Sequence, residues 1–523
     1  MEINIKYSRK NIWDLSLQDE WHETILWFAR GVAEMKKRPL DEVTGWRFYA
    51  GVRGFNEQLW AHYGYLDQSE KKPSAADQDR YWRQCQHGSW YFLPWHRGYV
   101  IALEANIRAA VIALGGPSDW AIPYWNYFKT DQYKLPPAFA SKDWPDGTGN
   151  NPLFTEARFG PDDNDPGNVY VPMDYMNLNA MNEPKFTGVT SGGATGFGGI
   201  DTGFSHGGKT HGKMESMPHD MVHVYVGGQQ PGTGEPGLMA APQSAALDPI
   251  FYLHHANIDR LWESWRVMPA PPTHDDPTQK RWLGGPQSTG ERNFSMPMPD
   301  GTGWDYTPTE MADYAALNFE YDDLSAAGTM ASLATRLQNL GASPEIANAV
   351  EGAQIMSNDE KVELLGVNKE SLNISGTKAQ TRVHLDGTTR RKVSDTLMKS
   401  TQSVDAQAPD RVFLNLENIT GSSDSTVLHV YVNLTAGENP DDHPELLAGS
   451  VALFGLKDAS DKNGEHAGQG LTSVIEITEI VDRLHLENTF DVDVLHISIV
   501  PHNAIKEEEN LQVGRISMFR QGG

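Results

Sequence analysis

The chain has a single cysteine, Cys85, among 523 residues, so an intramolecular disulfide is impossible and a reducing compartment suits it. No stretch is long and apolar enough to span a bilayer. The opening Met-Glu-Ile-Asn-Ile-Lys lacks a basic segment leading into an apolar run, so no signal peptide is expected and the reading is cytoplasmic. Positive charge is also scarce: 43 Lys and Arg against 69 Asp and Glu leave a net charge of −26. Such a surface repels phosphate backbones and anionic lipid, which argues against nucleic acid or a membrane as partner. Repeats at solenoid or propeller periods are absent too. Aromatic residues, by contrast, are plentiful. With 15 Trp, 18 Phe and 18 Tyr beside 21% charged residues, the chain reads as a packed globular protein.

Residues 1–325 read as helices set in long loops. Phe48, Val52, Phe55, Leu59 and His62 follow a four-three spacing, which predicts one face of one helix. His96, Val100, Leu103, Ile107, Val111 and Leu114 predict another, stopped by Gly115-Gly116. A short helix starts at Pro218 and ends before Gly227-Gly228, and Ile258, Leu261, Trp262 and Trp265 mark a fourth. The glycine-rich stretch from Gly188 to Lys213 reads as a mobile surface loop. Residues 326–385 read as a connector with one helix near Ala331 to Leu340. In 386–523 the period switches to two, as in Val427 to Leu434 and Val494 to Ile499. With Arg411 to Leu416, Gly449 to Leu456, Ser473 to Ile480 and Val513 to Phe519, this predicts an antiparallel β-sandwich, jelly-roll-like, of six or more strands. The fold class is therefore α + β: a mainly helical domain with a four-helix core, then a β domain.

Histidine carries the chemical signal, with ten of the 18 before residue 256. His219 and His223, four apart, leave one face of a helix and can offer one metal two imidazoles. His62 and His96 each sit at the end of an apolar stripe and so point inward. Several converging buried imidazoles are hard to explain as ordinary core residues, because each needs partners for both nitrogens. His254 and His255 stand about 100° apart on a helix, and periodicity does not choose between them. His206 and His211 read as solvent-exposed residues of the glycine-rich loop, and the eight histidines from His274 onward show no ligand spacing.

Longer runs go further. Cys85-Gln-His87, Tyr91-Phe-Leu-Pro94-Trp-His96-Arg97 and Asp248-Pro-Ile-Phe251-Tyr-Leu-His254-His255-Ala-Asn257-Ile-Asp259-Arg260 resemble the copper A and copper B signatures of the type 3 copper family, the tyrosinases, catechol oxidases and haemocyanins. Pro123-Tyr124-Trp125, Glu215 to His223 and Phe319 to Leu324 extend the resemblance over about the first 325 residues. The β region is similar to the C-terminal domain of plant polyphenol oxidases.

The resemblance implies two copper ions, with His62, His87 and His96 at copper A and His219, His223 and His255 at copper B. The family's His-x-x-x-Asp spacing selects His255, with Asn257 and Asp259 orienting imidazoles. It implies a Cys85–His87 thioether, as in fungal tyrosinases. Glu215 would hold a water near copper B as a base, with Asp220 beside the substrate's path. A β domain of this kind covers the site and keeps the enzyme latent.

The implied activity is oxidation of o-diphenols to o-quinones by dioxygen, with slower o-hydroxylation of monophenols. Small phenols are the partners. Two departures weigh on hydroxylation: Asp220 stands where good hydroxylases often have Asn, and the Pro-Tyr-Trp run ends Asn126-Tyr127. A strict catechol or o-aminophenol oxidase and a haemocyanin-like oxygen carrier are the alternatives. Dinuclear zinc or iron hydrolases need carboxylates at ligand spacing, which are not found.

Overall fold

The computed structural model describes residues 6–161, 167–206, 208–268, 276–325, 332–354, 361–435, 437–463, 468–490 and 492–522. Residues 1–5, on which the reading of the chain's start rests, lie outside them, as do the first part of the expected connector, His274 and His466.

Six helices build the first domain around the site: α1 (Glu23–Lys36), α2 (Trp46–Arg53), α3 (Glu57–His62), α4 (Phe92–Ala113), α5 (Met221–Gly227) and α6 (Ile250–Val267). The central pair is α4 and α6, buried on nearly every face. Helix α1 packs on α4 so closely that a Cβ on Gly31 would come within 2.7 Å of Ile107. Trp46, Trp60, Trp90, Trp95, Trp125, Trp262, Trp265 and Trp282 are fully buried. Each such side chain contributes about 2–3 kcal/mol by leaving water. An ionic cluster fastens these elements: Arg9 meets Glu104 of α4 at 2.6 Å and Asp259 of α6 at 3.3 Å, and Arg97 of α4 also bonds Asp259.

The second domain is one antiparallel sheet built mainly from β1 (Lys361–Val367), β2 (Ala379–Leu385), β3 (Arg411–Thr420), β4 (Val427–Val432), β5 (Leu447–Ala452), β6 (Leu471–Glu476), β7 (Val494–Pro501) and β8 (Gln512–Gly522). Their order is β5-β4-β7-β2-β1-β8-β3-β6, and the short strand Leu372–Asn373 adds to β8. The two edge strands approach each other; a Cβ on Gly449 of β5 would lie 2.9 Å from Ile475 of β6. The sheet thus curls nearly into a barrel around Leu414, Val430, Ile497 and Met518, where two stacked sheets were expected.

The α + β class and its order hold, but two boundaries move. The expected connector contains β1 and β2 and the helices Leu333–Asn339 and Pro344–Gln354. Polar residues Gln380, Arg382 and His384 alternate with Val383 and Leu385 in β2, a period of two that the region's polar composition obscured. The expected strand through Ile480 stops at Glu476, and Thr478–Leu486 is a helix.

The domains are pinned together by partly buried charges around Glu183. Lys213 Nζ lies 2.9 Å from Glu183 and 2.6 Å from Glu476, and Arg411 lies 2.7 Å and 2.8 Å from the same carboxylates.

Candidate metal centre

Four fully buried imidazoles meet at one point. His219 is in the wide helical turn Glu215–Asp220 leading into α5, His223 is on α5 itself, and His254 and His255 are on α6. Their potential donor atoms all lie within 4.8 Å of one another. Burial, then the neighbouring imidazoles, holds His219 and His255 well below the ordinary histidine range, and burial acts the same way on His223. Neutral rings keep a lone pair to give.

The second nitrogens fix the rings. His219 Nδ1 bonds Asp220 Oδ1 at 2.9 Å, and His223 Nδ1 donates to the Met239 carbonyl at 2.8 Å. His223 Nε2 then faces His255 Nε2 at 3.4 Å. Among the described residues, His219 Nε2, His254 Nε2 and His255 Nδ1 have no hydrogen-bond partner. Buried ring nitrogens left without partners are costly in a folded protein. A soft-to-borderline cation such as copper satisfies them, and all-imidazole donor sets suit it. Copper fits here.

On the other side stand Cys85, His87 and His96, also within 4.8 Å of one another. His87 Nδ1 bonds Glu215 Oε1 at 2.9 Å, and His96 Nδ1 donates to the Phe92 carbonyl at 2.8 Å. The His96 ring stacks on His255, centroids 4.2 Å apart and planes at 10°. Cys85 Sγ contacts His96 Nε2 at 3.3 Å, on a ring other than the one expected to share a thioether. Burial raises this thiol to about 12.

His62 is not in this group, which corrects the expected copper A set. It lies exposed at the end of α3, with Nε2 on Gln230 Oε1 at 2.7 Å. The single predicted helix is broken after Arg53: Gly54 is extended, and the Asn56 side chain caps α3 by accepting from Leu59 N. The break turns His62 away from the site. A glycine stop followed by an asparagine cap was the available signal. In its place the site receives Arg53, on one face of α2 with Trp46 and Tyr49 and 1% exposed. Its Nη2 lies 3.4 Å from His87 Nε2, and its Nη1 donates to the Pro242 carbonyl.

The expected loop residue His211 also belongs to the site. Its Nδ1 lies 2.6 Å from Asp220 Oδ2 and its Nε2 3.8 Å from Glu215 Oε1. Burial lowers the affinity of His211 for a proton, but Asp220 and Glu215 outweigh it and raise the pKa to about 9. Burial raises Glu215 to about 8, and raises Asp220 too. Glu215 is fully buried and accepts from Gly88 N as well as contacting His87, so it orients that ring. The glycine-rich loop is packed, not free: Gly208 N donates to the His87 carbonyl at 2.7 Å, and a Cβ on Gly88, at φ +56°, would strike Gly208 at 2.5 Å.

Among the described residues neither Asn257 nor Asp259 bonds an imidazole directly. Asp259 accepts from Arg97 and Tyr321 and pairs with Arg9, while Asn257 accepts from Arg260 Nε at 2.9 Å. Asn257 also bonds Tyr127, whose hydroxyl lies 3.4 Å from His254 Nδ1, so it reaches an imidazole through that tyrosine.

The β domain supplies one ring. Phe454, in the turn after β5, lies over His223 with centroids 4.3 Å apart and planes at 20°, and within 6 Å of the His87 and His219 rings. Beside it a cavity of about 210 Å³ is lined by Arg53, Cys85, His87, His211 and Phe454.

Residues 52–268 match the common central domain of tyrosinase, and residues 361–521 match a domain of unknown function (DUF7868). Over 98% of its length the chain is 28% identical to tyrosinase HcTyr1 of Hahella sp. (strain CCB-MM4), covering 99% of that protein. It is 26% identical to the latent form of the chloroplastic polyphenol oxidase of Prunus armeniaca, over 49% of this chain and 40% of that one. Latent aurone synthase, a polyphenol oxidase, superposes with TM-score 0.60 at 18% identity, across 100% of this chain and 91% of that one. Latent apple tyrosinase gives 0.55 at 19%, across 98% and 97%. These structures share the fold.

Proposed function

We propose that this chain, a tyrosinase- and polyphenol oxidase-type copper protein and an oxidoreductase, oxidises o-diphenols to o-quinones with dioxygen, and hydroxylates monophenols more slowly. One observation carries the reading: an aromatic ring already lies flat on His223 at the buried four-histidine group. A substrate ring that replaced Phe454 would stand at the metal. His219, His223 and His255 are the proposed ligands, with His254 held behind them by Tyr127. Copper bound there supplies an electron acceptor and a place for dioxygen.

The chain's own residues position and exchange protons. Asp220 and the Met239 carbonyl keep the Nδ1 atoms of His219 and His223 engaged, so both Nε2 atoms face the metal position. Phe454, Phe251 and Phe92 exclude water around the rings. A catechol gives up two protons as it loses two electrons. His211 lines the cavity, and with Glu215 and Asp220 it forms a relay that can take the first once it has released its own proton.

The test is oxygen uptake with catechol by copper-loaded protein, intact and as Phe454→Ala. Copper-dependent uptake that rises at least several-fold in the variant supports the reading. Copper-loaded Phe454→Ala protein that consumes no oxygen with catechol overturns it.

A further inference from the structure

The two halves of the centre are unequal. The four-histidine side leaves three buried ring nitrogens with no partner among the described residues. Among the described residues the other side offers the His87 and His96 imidazoles and, beside His87, His211 with Glu215. His87 Nδ1 is held by Glu215 at 2.9 Å and His211 Nδ1 by Asp220 at 2.6 Å, and the remaining nitrogens of His87 and His96 are taken as well. His87 Nε2 faces the Arg53 guanidinium at 3.4 Å, and His96 Nε2 faces Cys85 Sγ at 3.3 Å. The histidine that would complete a set of three, His62, is at the surface on Gln230.

Arg53 is held where it stands. Its guanidinium sits between two aromatic faces, 5.1 Å from the centroid of Phe251 and 5.3 Å from that of Phe454. Its Nη1 donates to the Pro242 carbonyl. Among the described residues it forms no ion pair, and the Asp220 carboxylate acts on it only from beyond contact distance. Arginine stays protonated even when buried. A metal ion bound by His87 would therefore sit next to a fixed positive charge in a poorly screened interior, where like charges repel strongly. The arginine both takes the place of a donor and opposes the cation.

We infer that Arg53 stands in for the second metal ion, so that the chain holds one copper, at the four-histidine group, and the His87–His96 side remains metal-free. This rests on the reading of the four-histidine group as a copper site.

The experiment loads the full chain with copper during expression, counts copper per chain by mass spectrometry, and measures electron paramagnetic resonance of the oxidised protein. One copper per chain with a cupric signal accounting for all of it supports the inference, because a lone cupric ion is paramagnetic. Two per chain with little signal, the mark of a coupled pair, overturns it while leaving the copper reading intact. No copper overturns both, which separates the two failures. Arg53→His supplies the missing imidazole and removes the charge, and should bring the count to two with loss of most of the signal. A folded Arg53→His protein that still holds one copper overturns the assignment of Arg53 as the obstacle. The wild-type count decides the question by itself if that variant does not fold.

Discussion

Phe454 of the barrel-like domain lies nearly parallel to His223 of the helical domain, their ring centroids 4.3 Å apart. The ring is 2% exposed and packs into the hydrophobic core of the first domain. The two domains therefore share a core over the four-histidine group.

Phe454→Ala should open that place. Removing a buried phenylalanine costs about 3–5 kcal/mol in a well-packed core. Here the loss falls at a domain interface beside an existing cavity, so the lower end applies and the fold should survive. KM for bulky catechols should fall at least several-fold with a smaller change for catechol itself. Steady-state kinetics over a substrate size series checks this, and equal shifts for all sizes would point to general loosening.

Acid should loosen the same interface. Burial would raise Glu183, but Arg411 and Lys213 pull it down to about 2; the same cations, outweighing burial, hold Glu476 well below its ordinary value. A carboxylate with a depressed folded-state pKa stabilises fully above its unfolded pKa, near 4.5, and that stabilisation is lost as pH falls towards the folded value. Between about pH 4.5 and 2 the domains should therefore separate, checked by protease cleavage between the domains and by oxygen uptake after return to neutral pH. Cleavage and uptake that do not change across this window would show that apolar packing alone holds the domains.

Cys85 should remain a thiol. Its sulfur lies against His96 Nε2, while His87 is held from its two sides by Glu215 and Arg53. Alkylation of denatured copper-loaded protein should add one group, at Cys85. An unalkylatable Cys85 with two hydrogens missing from the intact mass would restore the expected thioether.

The sequence made most of this legible where the signal was local. His219 and His223, four apart, and the run through His254 and His255 announced a cluster, and strand alternation announced a sheet domain. What escaped was set by distant packing. His62 lay on a continuous apolar spacing, yet Gly54 broke the helix and brought Arg53 inward. His211 looked like loop because its glycines signal freedom, whereas here they allow backbone to pack on backbone at Gly88 and Gly208. Phe454 is more than 200 residues from the rings it covers, a separation no periodicity reports.

His62→Ala should leave copper content and oxidase activity within about twofold of wild type, since an exposed side chain paired with Gln230 contributes little. His219→Ala should remove both. A metal count on the two variants checks this, and copper loss in His62→Ala would return that residue to the ligand set.

Asp220 connects the metal side to the proton side, so Asp220→Asn should change both in separable ways. Its carboxylate holds His219 Nδ1 at 2.9 Å through one oxygen and His211 Nδ1 at 2.6 Å through the other. An amide can accept from one ring only, so the His219 ring loses its anchor or His211 does. Loss of such an anchor typically weakens metal binding about 10–100-fold. The charge matters independently. Asp220 and Glu215 raise His211 to about 9 against the effect of burial. At neutral pH His211 is thus protonated and cannot take a proton from an incoming phenol. Wild-type kcat/KM for catechol should rise with pH through an apparent midpoint between about 8 and 9, where the Glu215–His211 relay loses its proton. Removing one of the two carboxylates lowers the proton affinity of His211, so the midpoint should move to lower pH in Asp220→Asn. A pH–rate profile at saturating copper isolates this effect from metal loss. A midpoint that stays in place while only copper affinity falls would confine Asp220 to holding His219.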